Sequence, residues 1–363
     1  METGLLRFDE PDGGASERSP SATRMFQEAG QAAGVVRNQL ASNEPEMARL
    51  AQALRERQPR AVVTLGRGSS DHAATFAKYL IETRLGVVTS SAAPSVSSVY
   101  ASAQDMRDTV CLAISQSGRS PDLLAAVEAA KTGGALVIAL VNVEDSPLAT
   151  LADEVVPLHA GPELSVAATK SYIAALTAIT QLVGYWTKDE ALLGALTGLP
   201  GLLERAWALE WPQAIDRLRH ARNLYVIGRG VGYGVAQEAA LKFKETCGLH
   251  AEAFSAAEVR HGPMALVEKG FPVLVFSQDD ETRAGIDDLV ADFAGRRADV
   301  MLAGVSTRVT QGGVIALPSL QTHPVLEPVL FVQSFYRMVN QLALARGYDP
   351  DQPPHLDKVT ETV

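Results

Sequence analysis

The chain has 363 residues, 47% of them apolar and 20% charged, too hydrophobic for general disorder and long enough for two compact domains. Its 32 basic and 42 acidic side chains leave a net charge of −10, which repels a polyphosphate backbone and argues against a nucleic-acid partner. Two cysteines, Cys111 and Cys247, support neither a disulfide framework nor a four-cysteine zinc site; the polar, acidic N-terminus from Met1 to Ser21 has no apolar core resembling a signal peptide, and no apolar run is long enough for a membrane span. A soluble, cytoplasmic protein without a metal is expected.

Residues 1–22 carry Pro11, Gly13, Gly14, Ser16, Ser19, Pro20 and Ser21 with little apolar pattern, which predicts a mobile arm. Helical periodicity begins at Thr23, runs to about Leu40 and resumes from Glu44 to Arg57. A β-branched run, Ala61 to Leu65, then ends in Gly66-Arg67-Gly68-Ser69-Ser70, and a helix is expected from Asp71 to Thr83. Apolar runs at Thr109–Ile114, Ala135–Val141 and Glu154–Leu158 alternate with helical segments. That alternation predicts an α/β fold with a parallel sheet covered on both faces.

The second half repeats the plan. Gly66-Arg67-Gly68 and Gly228-Arg229-Gly230 both close apolar runs and lie 162 residues apart; Ser115-Gln116 and Ser277-Gln278 share that offset. Two landmarks at one spacing predict a duplicated α/β domain. The first domain is expected over 23–198, including its N-terminal helices. A linker helix from Leu199 to His220 leads into the second domain, which a helix from Val325 to Ala345 closes, so that 199–347 form one unit. Residues 348–363 form a tail.

Ser115-Gln116-Ser117-Gly118-Arg119-Ser120-Pro121-Asp122 follows a buried strand and opens a helix. Hydroxyls, a glycine and free N–H groups at such a point cradle a phosphate. Helix capping accounts for one such residue, but not for three hydroxyls and a glutamine around a glycine. Gly68, Ser69 and Ser70 sit at a similar turn and are read with it as ligand-binding. His72, in the first turn of its helix, fits a packed polar residue better than a catalyst. Glu163 to Lys170 starts a long apolar helix. On a later helix, Lys242 and Glu245 are i,i+3 neighbours sharing a face with Glu238, and Ala239, Ala240 and Leu241 crowd that helix. A partly buried carboxylate beside a lysine suits proton transfer at carbon. On composition alone the tail from Asp351 to Lys358 is a fraying terminus.

The duplicated units, together with Ser115-Gln116-Ser117-Gly118, Val166-Ala167-Ala168-Thr169-Lys170, Ala240-Leu241-Lys242-Phe243-Lys244-Glu245, His250-Ala251-Glu252-Ala253 and His261-Gly262-Pro263, resemble the sugar isomerase (SIS) domain family. The resemblance runs from about Met25 to the C-terminus, and a pair of such domains forms the isomerase half of glucosamine-6-phosphate synthase. It implies two tandem SIS domains, each a parallel sheet in a three-layer α/β/α arrangement. Two departures stand out. Glu2 occupies the place of the synthase's glutaminase cysteine, and the polar arm leaves no room for a glutaminase domain. Arg119 and Ser120 stand where the synthase has Glu-Thr, and Ala168 where it has serine. In these respects the chain resembles stand-alone glucosamine-6-phosphate deaminases of the SIS type.

The resemblance implies that Ser115, Gln116, Ser117 and Ser120 hold the phosphate, with Gly68, Ser69 and Ser70 beside the sugar or phosphate and Val166 and Ala167 giving backbone contacts. It implies Glu245 as the base moving a proton between C1 and C2, His261 as the ring-opening group reaching into a neighbouring subunit of a homodimer, and Lys358 as the lysine at the ketose carbonyl. Lys242 is implied to stabilise developing charge or tune Glu245. No cofactor or metal is implied, and the partner is a small-molecule sugar phosphate. The expected reaction converts glucosamine 6-phosphate to fructose 6-phosphate and ammonia. Rivals are a galactosamine-6-phosphate deaminase, a fructosamine-6-phosphate deglycase and a non-catalytic sugar-phosphate sensor; a sensor is expected to lose Glu245, His261 or Lys358.

Overall fold

The computed structural model describes residues 18–304, 313–356 and 358. In chain order the first half contains α1 (Arg24–Gly30), α2 (Ala32–Arg57), β1 (Ala61–Leu65), α3 (Ser69–Leu85), β2 (Val88–Ser91), α4 (Ser95–Ser98) and β3 (Thr109–Ser115). It continues through α5 (Pro121–Thr132), β4 (Leu136–Val141), α6 (Pro147–Leu151), β5 (Glu154–Pro157) and α7 (Lys170–Thr187). After α8 (Glu190–Ala208) and α9 (Pro212–Leu218) come β6 (Asn223–Gly228), α10 (Gly232–Cys247), β7 (His250–Ser255) and β8 (Pro272–Ser277). The chain ends through α11 (Arg283–Gly295), β9 (Asp299–Gly304), β10 (Val314–Leu317) and α12 (Glu327–Ala345).

Both sheets are five-stranded and parallel. Their orders, β2-β1-β3-β4-β5 and β7-β6-β8-β9-β10, are the same topology twice, so the repeated sequence landmarks are a repeated fold. Strand residues alternate between two cores, as a sheet covered on both faces requires. In β3, Val110, Leu112 and Ile114 join the large central core, while Cys111 and Ala113 face the outer core under α5 and α6. In β6, Leu224 and Val226 face the same central core, and Tyr225 and Ile227 face the outer one under α11. The central core is shared: α3 packs on α10 and α10 on α12, which fuses the two halves.

Some boundaries differ from the sequence expectation. α2 runs unbroken through Pro45 because its buried face, Val36, Met47, Leu50 and Leu54, continues on either side of that exposed proline. The expected boundary at 198/199 falls inside α8, where Leu192, Leu196, Leu199 and Leu203 form one buried stripe across Pro200. β2 is an edge strand whose polar sequence, Val-Thr-Ser-Ser, gave no apolar signal. The expected arm lies mostly outside the described residues, but its last part is held: Arg18 pairs with Asp349 at 3.1 Å and with Asp351 at 2.6 Å. Asp351 in turn accepts from the N–H groups of Arg24 and Met25 at the start of α1, fastening the beginning of the tail.

Candidate functional site

The carboxyl ends of β1 and β3 open onto a cavity of about 340 Å³. Its first wall is the turn into α3. A Cβ on Gly66 would lie 2.7 Å from the backbone of Ser70, so this close turn needs glycine. Its second wall is the loop from Ser115 to Ser120. Ser115 Oγ accepts from the N–H of Gly118 at 2.9 Å, and Gly118 takes φ +64° with Ser146 directly against it. Arg67 ties the two walls by donating from Nε to the buried Asp122 carboxylate at 2.9 Å.

Ser70, Gln116, Ser117 and Ser120 line this cavity, and among the described residues none of their side chains hydrogen-bonds another protein group. Ser120 caps α5 by position, yet its hydroxyl makes no capping bond. Polar groups at a strand-to-helix turn, left without protein partners, are ready to coordinate an anion.

The loop before α7 forms the third wall through Val166 and Ala168. Two buried carboxylates hold it. Glu28 accepts from the N–H groups of Leu164 and Ser165, and Glu163 accepts from Thr169 N–H at 2.9 Å and from Ser171. Lys358 closes the cavity from the tail, donating from Nζ to the Ser165 carbonyl at 2.6 Å with Glu163 4.0 Å away. Burial lowers the Lys358 pKa; nearby Lys242 adds to this, while Glu163, Glu28 and Glu245 oppose it.

Beside the cavity, α10 presents Glu238, Lys242 and Glu245. Lys242 is 1% exposed, and its Nζ contacts Glu245 at 2.7 Å, Ser69 Oγ at 3.1 Å and Glu238 at 3.2 Å. Glu238, fully buried, also accepts from Ser69 Oγ and Tyr336 OH, each at 3.1 Å, and lies 2.9 Å from His72 Nδ1. Burial pushes the Glu238 carboxyl up, but Lys242, His72 and Ser69 outweigh it and hold the pKa at about 2. Burial likewise opposes the Lys242 charge, and the Glu238 and Glu245 carboxylates overcome it and raise its pKa.

Gly68, Ser69, Ser70, Ser115, Gln116, Ser117, Ser120, Val166 and Lys358 therefore meet at one cavity. Lys242 reaches that cavity through Ser69, and Glu245 follows through Lys242. Two expected residues are placed elsewhere. Ala167 is fully buried and outside the lining; its neighbour Ala168 takes the place. His261 is exposed and lines a separate depression with Arg229, Arg260 and Asp292, at the strand ends of the second sheet. Sequence reasoning missed the parts played by Glu28, Glu163 and Tyr336. Glu238 was noted only for sharing a face, and the charge density of α10 was the signal that pointed to it.

The SIS domain model matches residues 57–184 and 217–303, which cover the whole first sheet and the second as far as Ala303 in β9. The chain belongs to the SIS domain family. Within that family it is similar to the isomerizing glutamine–fructose-6-phosphate aminotransferase of Aeropyrum pernix, with 36% identity across 82% of this chain and 50% of that protein. The Thermotoga maritima enzyme of the same name is 36% identical across 69% of this chain and 43% of its own length. The chain thus spans about half the length of the curated relatives it matches. A Silicibacter pomeroyi protein classed provisionally as a phosphosugar isomerase superposes with a TM-score of 0.86 at 41% identity, covering 91% of this chain and 100% of that one. The C-terminal domain of the Francisella tularensis glucosamine-fructose-6-phosphate aminotransferase superposes with a TM-score of 0.84 at 25% identity, over 92% and 98% of the two chains.

Proposed function

We propose that this SIS protein isomerises and deaminates glucosamine 6-phosphate, consuming water and giving fructose 6-phosphate and ammonia. The observation that carries the reading is the set of unpartnered groups on Ser70, Gln116, Ser117 and Ser120 around a cavity closed by a lysine amine. They suit a phosphate at one end of a linear sugar and a carbonyl at the other.

In this mechanism the Ser115–Ser120 loop holds the phosphate, and Ser69 and Ser70 orient the sugar hydroxyls. Glu245 takes the proton from C2 of the open-chain aldose and returns it to C1, producing a C2 imine. The positive Lys242 beside it offsets charge developing on the sugar oxygen. Water then adds at C2 and ammonia leaves. Lys358, with its proton affinity reduced by burial, serves at that carbonyl as a nucleophilic amine or as a charge. Opening the pyranose ring is the role proposed for His261. That residue lies outside the cavity of its own chain, so the role requires a second subunit in a homodimer.

The test is ammonia release from glucosamine 6-phosphate, galactosamine 6-phosphate, 6-phosphofructosamine and unphosphorylated glucosamine. Glucosamine 6-phosphate should be the best substrate and the unphosphorylated sugar should be nearly inert. Release from galactosamine 6-phosphate or 6-phosphofructosamine alone would reassign the substrate, and release from none would favour a sensor. Mixing inactive Glu245→Gln and His261→Ala subunits should restore part of the activity if the site is shared. No recovery from a mixed dimer would remove the shared site.

A further inference from the structure

The two halves end corresponding strands in corresponding loops, β3 into α5 and β8 into α11, with helix starts at Pro121 and Arg283. Ser277 matches Ser115, Gln278 matches Gln116, Asp280 matches Gly118 and Thr282 matches Ser120. In the first half the left-handed turn at Gly118 lets the loop open around a cavity. In the second, the Asp280 side chain is folded into its own loop. Its Oδ1 accepts from Thr282 N–H at 2.9 Å and from Thr282 Oγ1 at 2.5 Å, and its Oδ2 accepts from Gln278 Nε2 at 2.9 Å.

These donors match, position for position, the serine and glutamine whose side chains stand free in the first half. Gln278 is fully buried and also donates to the Arg229 carbonyl at 2.8 Å. Ser277 is 2% exposed and its Oγ has no partner, whereas Ser115 Oγ accepts from the Gly118 N–H. The Arg229 guanidinium lies against Gly285 in the first turn of α11, so a cation stands beside this loop as well.

We propose that Asp280 is a built-in anion that fills, in the second half, the place a phosphate takes in the first, and thereby limits each chain to one sugar phosphate. The proposal rests on the phosphate reading of the first loop. A carboxylate and a phosphate present the same kind of acceptor oxygen to N–H and O–H donors at a helix start, and their like charges prevent joint occupancy. Removing the carboxylate should free the Thr282 and Gln278 donors and create a second site for inorganic phosphate or the phosphate end of a sugar phosphate.

The experiment is calorimetric titration with inorganic phosphate of the wild type, Ser117→Ala, Arg229→Ala, Asp280→Gly and the double variant Asp280→Gly/Arg229→Ala, all checked for folding by circular dichroism. The expected stoichiometry is one phosphate per wild-type chain, weakened in Ser117→Ala, and two per Asp280→Gly chain. The second site should be at least about tenfold weaker when Arg229 is also removed. A folded Asp280→Gly protein that still binds one phosphate overturns the proposal. So does a wild-type chain that binds two, the second lost in Arg229→Ala, an arm that does not depend on the Asp280 variant folding. Absence of any binding to the wild type instead overturns the reading of the first loop.

Discussion

The Ser115–Ser120 loop and the charged face of α10 approach each other at Ser69, yet they treat polar groups in opposite ways. Around the loop, the side chains of Gln116, Ser117 and Ser120 have no protein partner among the described residues. On α10, Glu238 alone is met by Ser69, His72, Lys242 and Tyr336. The difference follows from solvent. Hydroxyls at an open cavity exchange water for ligand at little cost, so they can wait unpaired. A charge buried on α10 has no water to fall back on, and leaving it alone costs several kcal/mol. On the proposed reading, the free groups hold the ligand and the paired charges set a field before it arrives.

The largest effect that would break this contrast is on stability. Glu238→Ala leaves the buried Lys242 with Glu245 as its remaining carboxylate and takes the acceptor from Ser69 and Tyr336, and should destabilise the fold by about 3 kcal/mol in denaturant titration. A change under about 1 kcal/mol would mean the α10 cluster is not structurally committed. The same pairing has a pH signature. The Glu238 pKa is about 2 in the fold against an ordinary 4.5, so its stabilisation is complete above pH 4.5 and lost as pH falls towards 2. Thermal melts across that window should show the decline in the wild type and less of it in Glu238→Gln.

Glu245→Gln keeps the shape of the cluster and removes the proposed base. Its kcat should fall by at least about a hundredfold with KM little changed, and solvent deuterium exchange at C1 and C2 should fall in parallel. Exchange at the wild-type rate would move the base elsewhere. Ser117→Ala should act through KM instead, raising it between a few-fold and about a hundredfold, as loss of one or two hydrogen bonds to a charged group implies. An unchanged KM would empty the contrast of its binding half.

The smallest expected effect is on the pH profile. Burial lowers the Lys358 pKa below 10.5, so the neutral amine grows with rising pH earlier than for a surface lysine. If that amine is the nucleophile, kcat/KM should rise through this lowered pKa, and the limb should vanish in Lys358→Arg. Borohydride with fructose 6-phosphate should then label the tail. A Lys358→Arg enzyme with the wild-type profile would leave the lysine only a charge.

Much of the architecture could be read from local pattern alone. Ala61–Leu65 is a strand with the bounds its β-branched run predicts, and the duplicated Gly-Arg-Gly and Ser-Gln landmarks reappear as the same strand ends in two sheets of one topology. Such features are local: a buried strand needs an apolar run, and a close strand-to-helix turn needs glycine. The cavity-lining hydroxyls of the Ser115–Ser120 loop could be picked out for the same reason, since they follow one another along the chain. Tertiary structure decided which charges are buried and what they meet. Glu28 and Glu163 look in sequence like surface carboxylates, yet they hold the loop that Lys358 contacts. Glu238 finds His72 from α3 and Tyr336 from α12, residues brought together only when the two halves share a core. His261 shows the same limit from the other side, because its place at the second sheet is set by the fold and not by its neighbours in sequence. A charged side chain costs little in water and much in a core, so its meaning depends on burial, and burial is a property of the whole packed chain.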